Sequence, residues 1–144
     1  MAEKTRDATE QFILDEEGYR ARVYRCTSGA LTIGIGYNLD AGMPIDEAML
    51  LMRHRVGTIT QSLQGKFAWF DGLNEARRAV LVSMAYQMGL RGLYGFRRML
   101  AAIEAGEYEA AGREMLDSTW ARQTPARARR TAEMMRLGQF VTGR

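Results

Sequence analysis

Cysteine, histidine and proline are nearly missing from this chain. One cysteine, Cys26, in 144 residues excludes an internal disulfide framework and every multi-cysteine zinc or iron–sulfur site. One histidine, His54, excludes the paired-histidine zinc helix and His-rich metal tracts. With only Pro44 and Pro125 there is no Pro/Ser linker, and neither an internal repeat nor a low-complexity stretch divides the chain. No apolar run approaches the roughly 18 residues of a membrane span. The start, Met1-Ala2-Glu3-Lys4-Thr5-Arg6-Asp7, lacks the basic-then-apolar shape of a signal peptide. These absences leave a cytosol-made, soluble chain of one domain, or of one domain with two lobes. A chain of this length buries about two-thirds of its unfolded surface and needs no metal or disulfide staple.

What is present is unevenly charged. Residues 1–71 carry 8 Lys/Arg against 10 Asp/Glu, whereas residues 72–144 carry 12 against 7. Arg122, Arg127, Arg129 and Arg130 crowd into nine residues near the C-terminus. Such a basic half fits an anionic partner (nucleic acid, an anionic membrane or an anionic wall polymer) or a solvated arginine-rich helix.

Hydrophobic spacing predicts a helix over 5–17, with Ala8 and Phe12 at helical intervals, Ile13 and Leu14 widening the face, and Gly18 ending it. Val23-Tyr24, the turn Thr27-Ser28-Gly29 and the run Leu31 to Tyr37 read as a hairpin. After the breaker-rich loop 38–44, Asp46 marks the start of a helix to about Val56. Residues around 57–74 join this part to a helical remainder. There Asn74 caps a helix bearing Ala76, Val80 and Met84, and Gly89-Leu90-Arg91-Gly92 breaks it. A helix with Phe96, Met99, Leu100 and Ile103 is stopped by Gly106, and Tyr108 to about Leu116 forms another. Pro125 opens a last helix to about Leu137. The fold class is α+β and predominantly helical, with a hairpin-containing lobe over about 18–57 and a helical lobe over about 74–140, packed with helix 5–17. A cleft between the lobes would hold an extended substrate.

Chemistry concentrates where the first helix ends. Asp15-Glu16-Glu17 faces the negative end of the helix dipole, and three acids in a row repel one another; both effects favour the proton-bearing form that a general acid needs. A solvated acidic turn is the plainer alternative. Gly34-x-Gly36 lacks the third glycine of a dinucleotide fingerprint. His54 between Arg53 and Arg55 reads as solvated, the ten methionines as core fillers, and Trp69 and Trp120 as core or sugar-stacking groups.

Glu17, eight residues, Cys26, five residues, then Thr32-Ile33-Gly34-Ile35-Gly36-Tyr37 resembles the signature of the T4-type bacteriophage lysozymes, endolysins that cut peptidoglycan. In that family a Glu is followed by an Asp (Cys in some members) and a Thr before Ile-Gly-x-Gly. Arg77-Arg78-Ala79-Val80, Gln87-Met88-Gly89 and Gly95-Phe96 resemble its central helix and the following turn. Trp120-Ala121-Arg122-Gln123-Thr124-Pro125-Ala126-Arg127-Ala128 resembles its Trp-x-x-Gln-Thr-Pro-x-Arg-Ala block. The resemblance runs in order from about residue 9 to 140. It implies a lysozyme-like fold and a muramidase that cleaves the β-1,4 bond between N-acetylmuramic acid and N-acetylglucosamine, lysing bacteria. It implies Glu17 as general acid, the Asp position (Cys26) and Thr32 holding the attacking water or stabilising developing charge, and Arg127 against the glutamate. Asn38, Tyr86, Gln87 and, with a different side chain, Glu114 fall on cleft-lining positions. No metal or nucleotide cofactor is implied. The expected partner is the peptidoglycan glycan strand, with no nucleic acid, no stable membrane insertion and a monomeric state. The wall would be reached through a membrane hole made by another phage protein, or from outside on a virion.

Two departures stand out. Cys26 replaces the aspartate, and an ordinary thiol is only a few per cent ionised at pH 7. It is therefore a nucleophile, a weak base or a bystander. Tyr37 replaces the family's usual histidine, and the stretch before Met43 is short, so the first lobe offers fewer glycan contacts. The absent second carboxylate keeps open a lytic transglycosylase, in which the muramyl 6-hydroxyl replaces water. The basic half keeps open a non-catalytic module that binds an anionic polymer.

Overall fold

The computed structural model describes residues 5–141; the reading of residues 1–7 as no signal peptide falls partly outside them. The fold is predominantly helical α+β, with seven helices and one three-stranded antiparallel sheet among the described residues. It divides into two compact units, Met1–Leu50 and Leu51–Arg144.

The first unit begins with α1, Ala8–Glu17. The helix starts three residues later than the spacing predicts because Asp7 and Glu10 form a reciprocal cap. The Asp7 carboxylate accepts the Glu10 N–H at 2.7 Å, and the Glu10 carboxylate accepts the Asp7 N–H at 3.1 Å, satisfying two donors that a helix start leaves free. None of its residues is fully buried. The sheet runs β1 (Arg20–Arg25), β2 (Leu31–Gly34), β3 (Tyr37–Asn38), in that order. Its register pairs Tyr24 with Thr32 and Thr32 with Asn38, and a bulge lies between Arg20 and Tyr24. Thr32 therefore sits at the centre of the central strand and is buried. A 3-10 turn, Leu39–Ala41, follows, its amides at Asp40 and Ala41 bonded to the Asn38 side chain at 3.0 and 3.3 Å.

The next helix, α2, spans Ile45–Lys66 with Asp46 and Glu47 in its first turn. It runs ten residues past the predicted end at Val56, so the expected connector over 57–74 is largely helix. Gly57 and Gly65 are tolerated inside it because Ile59 and Leu63, on the buried face, outweigh the roughly 1 kcal/mol by which each glycine disfavours helix. The boundary between the two units falls within this helix.

In the second unit Asn74 caps α3, Glu75–Tyr94, by accepting the Arg77 N–H at 3.0 Å. The predicted break at 89–92 is a kink: the backbone leaves helical geometry at Gly89 (φ 81°, ψ 160°) and the helix resumes. Then come α4 (Arg97–Glu104), α5 (Tyr108–Leu116), α6 (Thr119–Gln123) and α7 (Pro125–Leu137). The short α6 is absent from the sequence reading. Ser118 starts it, accepting the Ala121 N–H at 3.0 Å while donating to the Met115 carbonyl at 2.7 Å.

The core of this unit is Leu63, Phe70, Val80, Leu81, Met84, Leu93, Met99, Ile103, Met115 and Met135, each nearly or wholly inaccessible. Four of the methionines thus fill core space as their spacing predicts. Helices α5 and α7 approach closely because Gly112 faces Ala132; a Cβ on Gly112 would stand 3.3 Å from the Ala132 carbonyl oxygen. Arg77 fastens the end of α7, donating to the carbonyls of Met135 (2.8 Å) and Arg136 (3.0 Å) while its guanidinium stacks 3.6 Å from the Tyr108 ring centre. Asn74 adds a bond to the Gly138 carbonyl at 2.8 Å. No described helix is long and apolar enough to cross a membrane.

Candidate active site

Four of the residues singled out by sequence, Glu17, Cys26, Thr32 and Asn38, belong to the first unit. Glu17 is the last residue of α1 and is exposed. Gly18, immediately after it, closes the helix through its N–H to the Leu14 carbonyl at 2.8 Å, so the acid stands where the chain turns into β1. Its carboxyl group lies over Gly36, in the turn between β2 and β3. A Cβ built on Gly36 would be 2.7 Å from Glu17 Cδ, 3.1 Å from Cγ and closer still to Oε2.

Cys26 follows β1 directly. Its backbone is fixed from both sides: the N–H donates to the Ala30 carbonyl at 3.0 Å, and the carbonyl accepts from Gly29 at 2.8 Å. The thiol is half-buried, and Sγ lies 3.0 Å from Ser28 Oγ. Hydrogen bonds from the Ser28 side chain and then from its backbone stabilise the thiolate. They outweigh burial and bring the Cys26 pKa down from 9.0 to about 7. An ordinary thiol at this position would be a poor substitute for a carboxylate; this one is shifted toward its thiolate form near neutrality. The agent of the change is a serine hydroxyl two residues along the turn.

Thr32 donates its hydroxyl to the Ala30 carbonyl at 3.0 Å. With the proton so committed, the oxygen lone pairs are the part of the group free to accept from a water. Asn38 lies opposite Thr32 in the sheet and uses its side-chain oxygen on the 3-10 turn, leaving its NH2 as donor. Tyr37, in the slot of the family's histidine, donates its hydroxyl to Glu47. That carboxylate is the main reason its pKa is pushed up to about 12. The residue fastens β3 to α2.

Tyr86, Gln87, Glu114 and Arg127 belong to the second unit. Tyr86 and Gln87 are exposed on α3. Gln87 is held by the Trp120 indole N–H, which donates to Oε1 at 2.8 Å; Trp120 is 8% exposed and meets Phe96 edge-on. The tryptophan is therefore a core residue that orients a surface amide. Glu114 lines an open hollow of about 500 Å³ with Gly95, Phe96, Arg97, Arg98 and Ser118. Arg127, in the first turn of α7, donates to Ser83 Oγ at 3.0 Å and to the Ser83 carbonyl at 3.5 Å. His54 is exposed on α2.

Two contributors escaped sequence reasoning, Ser28 and Gly36. Ser28 was legible only as part of a turn, and Gly36 as part of the Ile-Gly-x-Gly run and of a discarded nucleotide motif, with no role of its own.

Residues 14–133 match the family model described as phage lysozyme, and the chain belongs to that family. This makes it a glycoside hydrolase of the lysozyme kind, with peptidoglycan as its substrate class. Among similar proteins is probable T4-type lysozyme 1 of Dictyostelium discoideum, 24% identical over 85% of this chain and 90% of that protein. Probable T4-type lysozyme 2 of the same organism is 25% identical with the same coverage. The pre-baseplate central spike protein Gp5 of Enterobacteria phage T4 is 28% identical over 87% of this chain, which spans 27% of the spike protein.

Proposed function

We propose that the chain is a muramidase that hydrolyses the β-1,4 bond between N-acetylmuramic acid and N-acetylglucosamine, and that this activity serves bacterial lysis. Glu17 gives its proton to the glycosidic oxygen as the bond to C1 breaks. Water held by Thr32 adds to C1 and loses its proton to the Cys26 thiolate. The cycle closes when the Cys26 thiol releases the proton it gained to solvent and the Glu17 carboxylate takes one up. Asn38, Tyr86, Gln87 and Glu114 contact the glycan, and Arg127 has a supporting role. Because the substrate lies outside the membrane, the chain reaches it through a membrane lesion or arrives on a virion.

The observation that carries this reading is the thiol itself. The Ser28 hydroxyl 3.0 Å from Sγ, which lowers the thiol pKa, supports an anion beside a threonine oxygen that is free to accept from water, as the work of the replaced aspartate requires. Mass analysis of fragments from purified peptidoglycan tests it. Wild-type protein should yield fragments with free muramic reducing ends. Glu17→Gln should slow their release by about 10²- to 10⁴-fold, the usual contribution of a positioned general acid. Full activity in Glu17→Gln would overturn the assignment.

A further inference from the structure

We infer that Gly36 is the positioning residue for Glu17: the side chain it lacks leaves the space in which the acid's carboxyl group sits. The inference rests on the reading of Glu17 as general acid and adds to it the feature that holds the acid in place.

Glu17 is exposed at the end of α1. A glutamate side chain with three rotatable bonds can sample many rotamers. Contact restricts it on one side: its terminal atoms pack over the Gly36 backbone so closely that a Cβ there would stand 2.7 Å from Cδ, well inside van der Waals separation. Gly34, two residues earlier in the same turn, provides the comparison. Both glycines have left-handed backbone, φ +69° at Gly34 and +64° at Gly36, but a Cβ on Gly34 meets nothing within 4 Å. The turn needs both glycines for its backbone; only Gly36 is also needed by the acid.

The consequences separate stability from chemistry. The atoms that a Gly36 side chain would strike are the far end of a flexible side chain, so the carboxyl swings aside and the backbone keeps its course. Alanine at 34 or at 36 then strains the fold alike, through φ. Only alanine at 36 displaces the proton donor, and displacement by about 1 Å at a reacting centre lowers rate by about 100-fold.

The test compares Gly36→Ala with Gly34→Ala for thermal midpoint, kcat and KM on peptidoglycan fragments, and the pH profile of kcat. The expected result is matched midpoints, little change in KM, kcat at least about 100-fold lower in Gly36→Ala than in Gly34→Ala, and a pH profile whose limb from the acid is displaced only in Gly36→Ala. Equal kcat and equal profiles in the two variants would overturn the proposal. Asparagine tolerates left-handed backbone, so Gly36→Asn against Gly34→Asn makes the same comparison should either alanine variant fail to fold. Glu17→Gln, assayed alongside, separates the two claims. If it stays active, the acid is misassigned; if it is inactive while the Gly34 and Gly36 variants behave alike, the acid stands and its positioning by Gly36 fails.

Discussion

Cys26 Sγ lies 3.0 Å from Ser28 Oγ, within the turn that joins the first two strands. The pair lowers the pKa of the one cysteine of the chain to about 7 and so favours its thiolate. Ser28→Ala removes the first cause of that shift and should raise the pKa toward 9.0. The rate of Cys26 alkylation by iodoacetamide at pH 7 should then fall, by about fivefold for a rise of one unit. An unchanged rate would show that Ser28 does not activate the thiol.

The same shift fixes a sign for stability. The folded chain releases the Cys26 proton at about pH 7, whereas the unfolded thiol holds it to 9.0. The contribution is fully present above pH 9 and is lost as pH falls through 7, so stability from this group rises between pH 7 and 9. Thermal midpoints of wild type and Cys26→Ala across that window give the measurement, and their difference should grow with pH in favour of wild type.

Gln87 accepts the indole N–H of Trp120, which is 8% exposed. Gln87→Leu strands that buried donor and should lower stability by about 1–3 kcal/mol, read from the urea midpoint followed by tryptophan fluorescence. The glycan-facing role proposed for Gln87 predicts a higher KM as well.

Arg77 holds the last carbonyls of α7 and stacks on Tyr108. Arg77→Ala should lower stability by about 2 kcal/mol, combining two lost hydrogen bonds with a lost stacking contact. Arg77→Lys should recover little of it, because an ammonium lacks the planar fork that spans two carbonyls. Denaturant titration of the three proteins tests both statements.

Legibility in the sequence followed the strength of local signals. The start of Tyr108–Leu116 was readable, and its end approximately so, because Gly106 ends the previous helix just before it. Asn74 and Pro125 likewise announced the helices they open. The extension of α2 to Lys66 was hidden by two glycines whose local penalty is overridden by burial of Ile59 and Leu63, which no local pattern reveals. The α6 helix, five residues long, is too short to show a period.

At the site, the motif spacing brought forward Glu17, Cys26 and Thr32, and the sheet register explains why Thr32 is central and buried. The role of Ser28 depends on where one hydroxyl points. That of Gly36 depends on an approach between residues nineteen positions apart. Neither quantity is written in composition or period.

The most direct test of the central claim is digestion of peptidoglycan in water enriched in heavy oxygen, followed by mass analysis of the fragments. Hydrolysis with water held at Thr32 and Cys26 predicts one heavy oxygen at each new muramic reducing end, with the label abolished in Glu17→Gln. Unlabelled 1,6-anhydro ends would contradict it, because the muramyl 6-hydroxyl would then have taken the place of water.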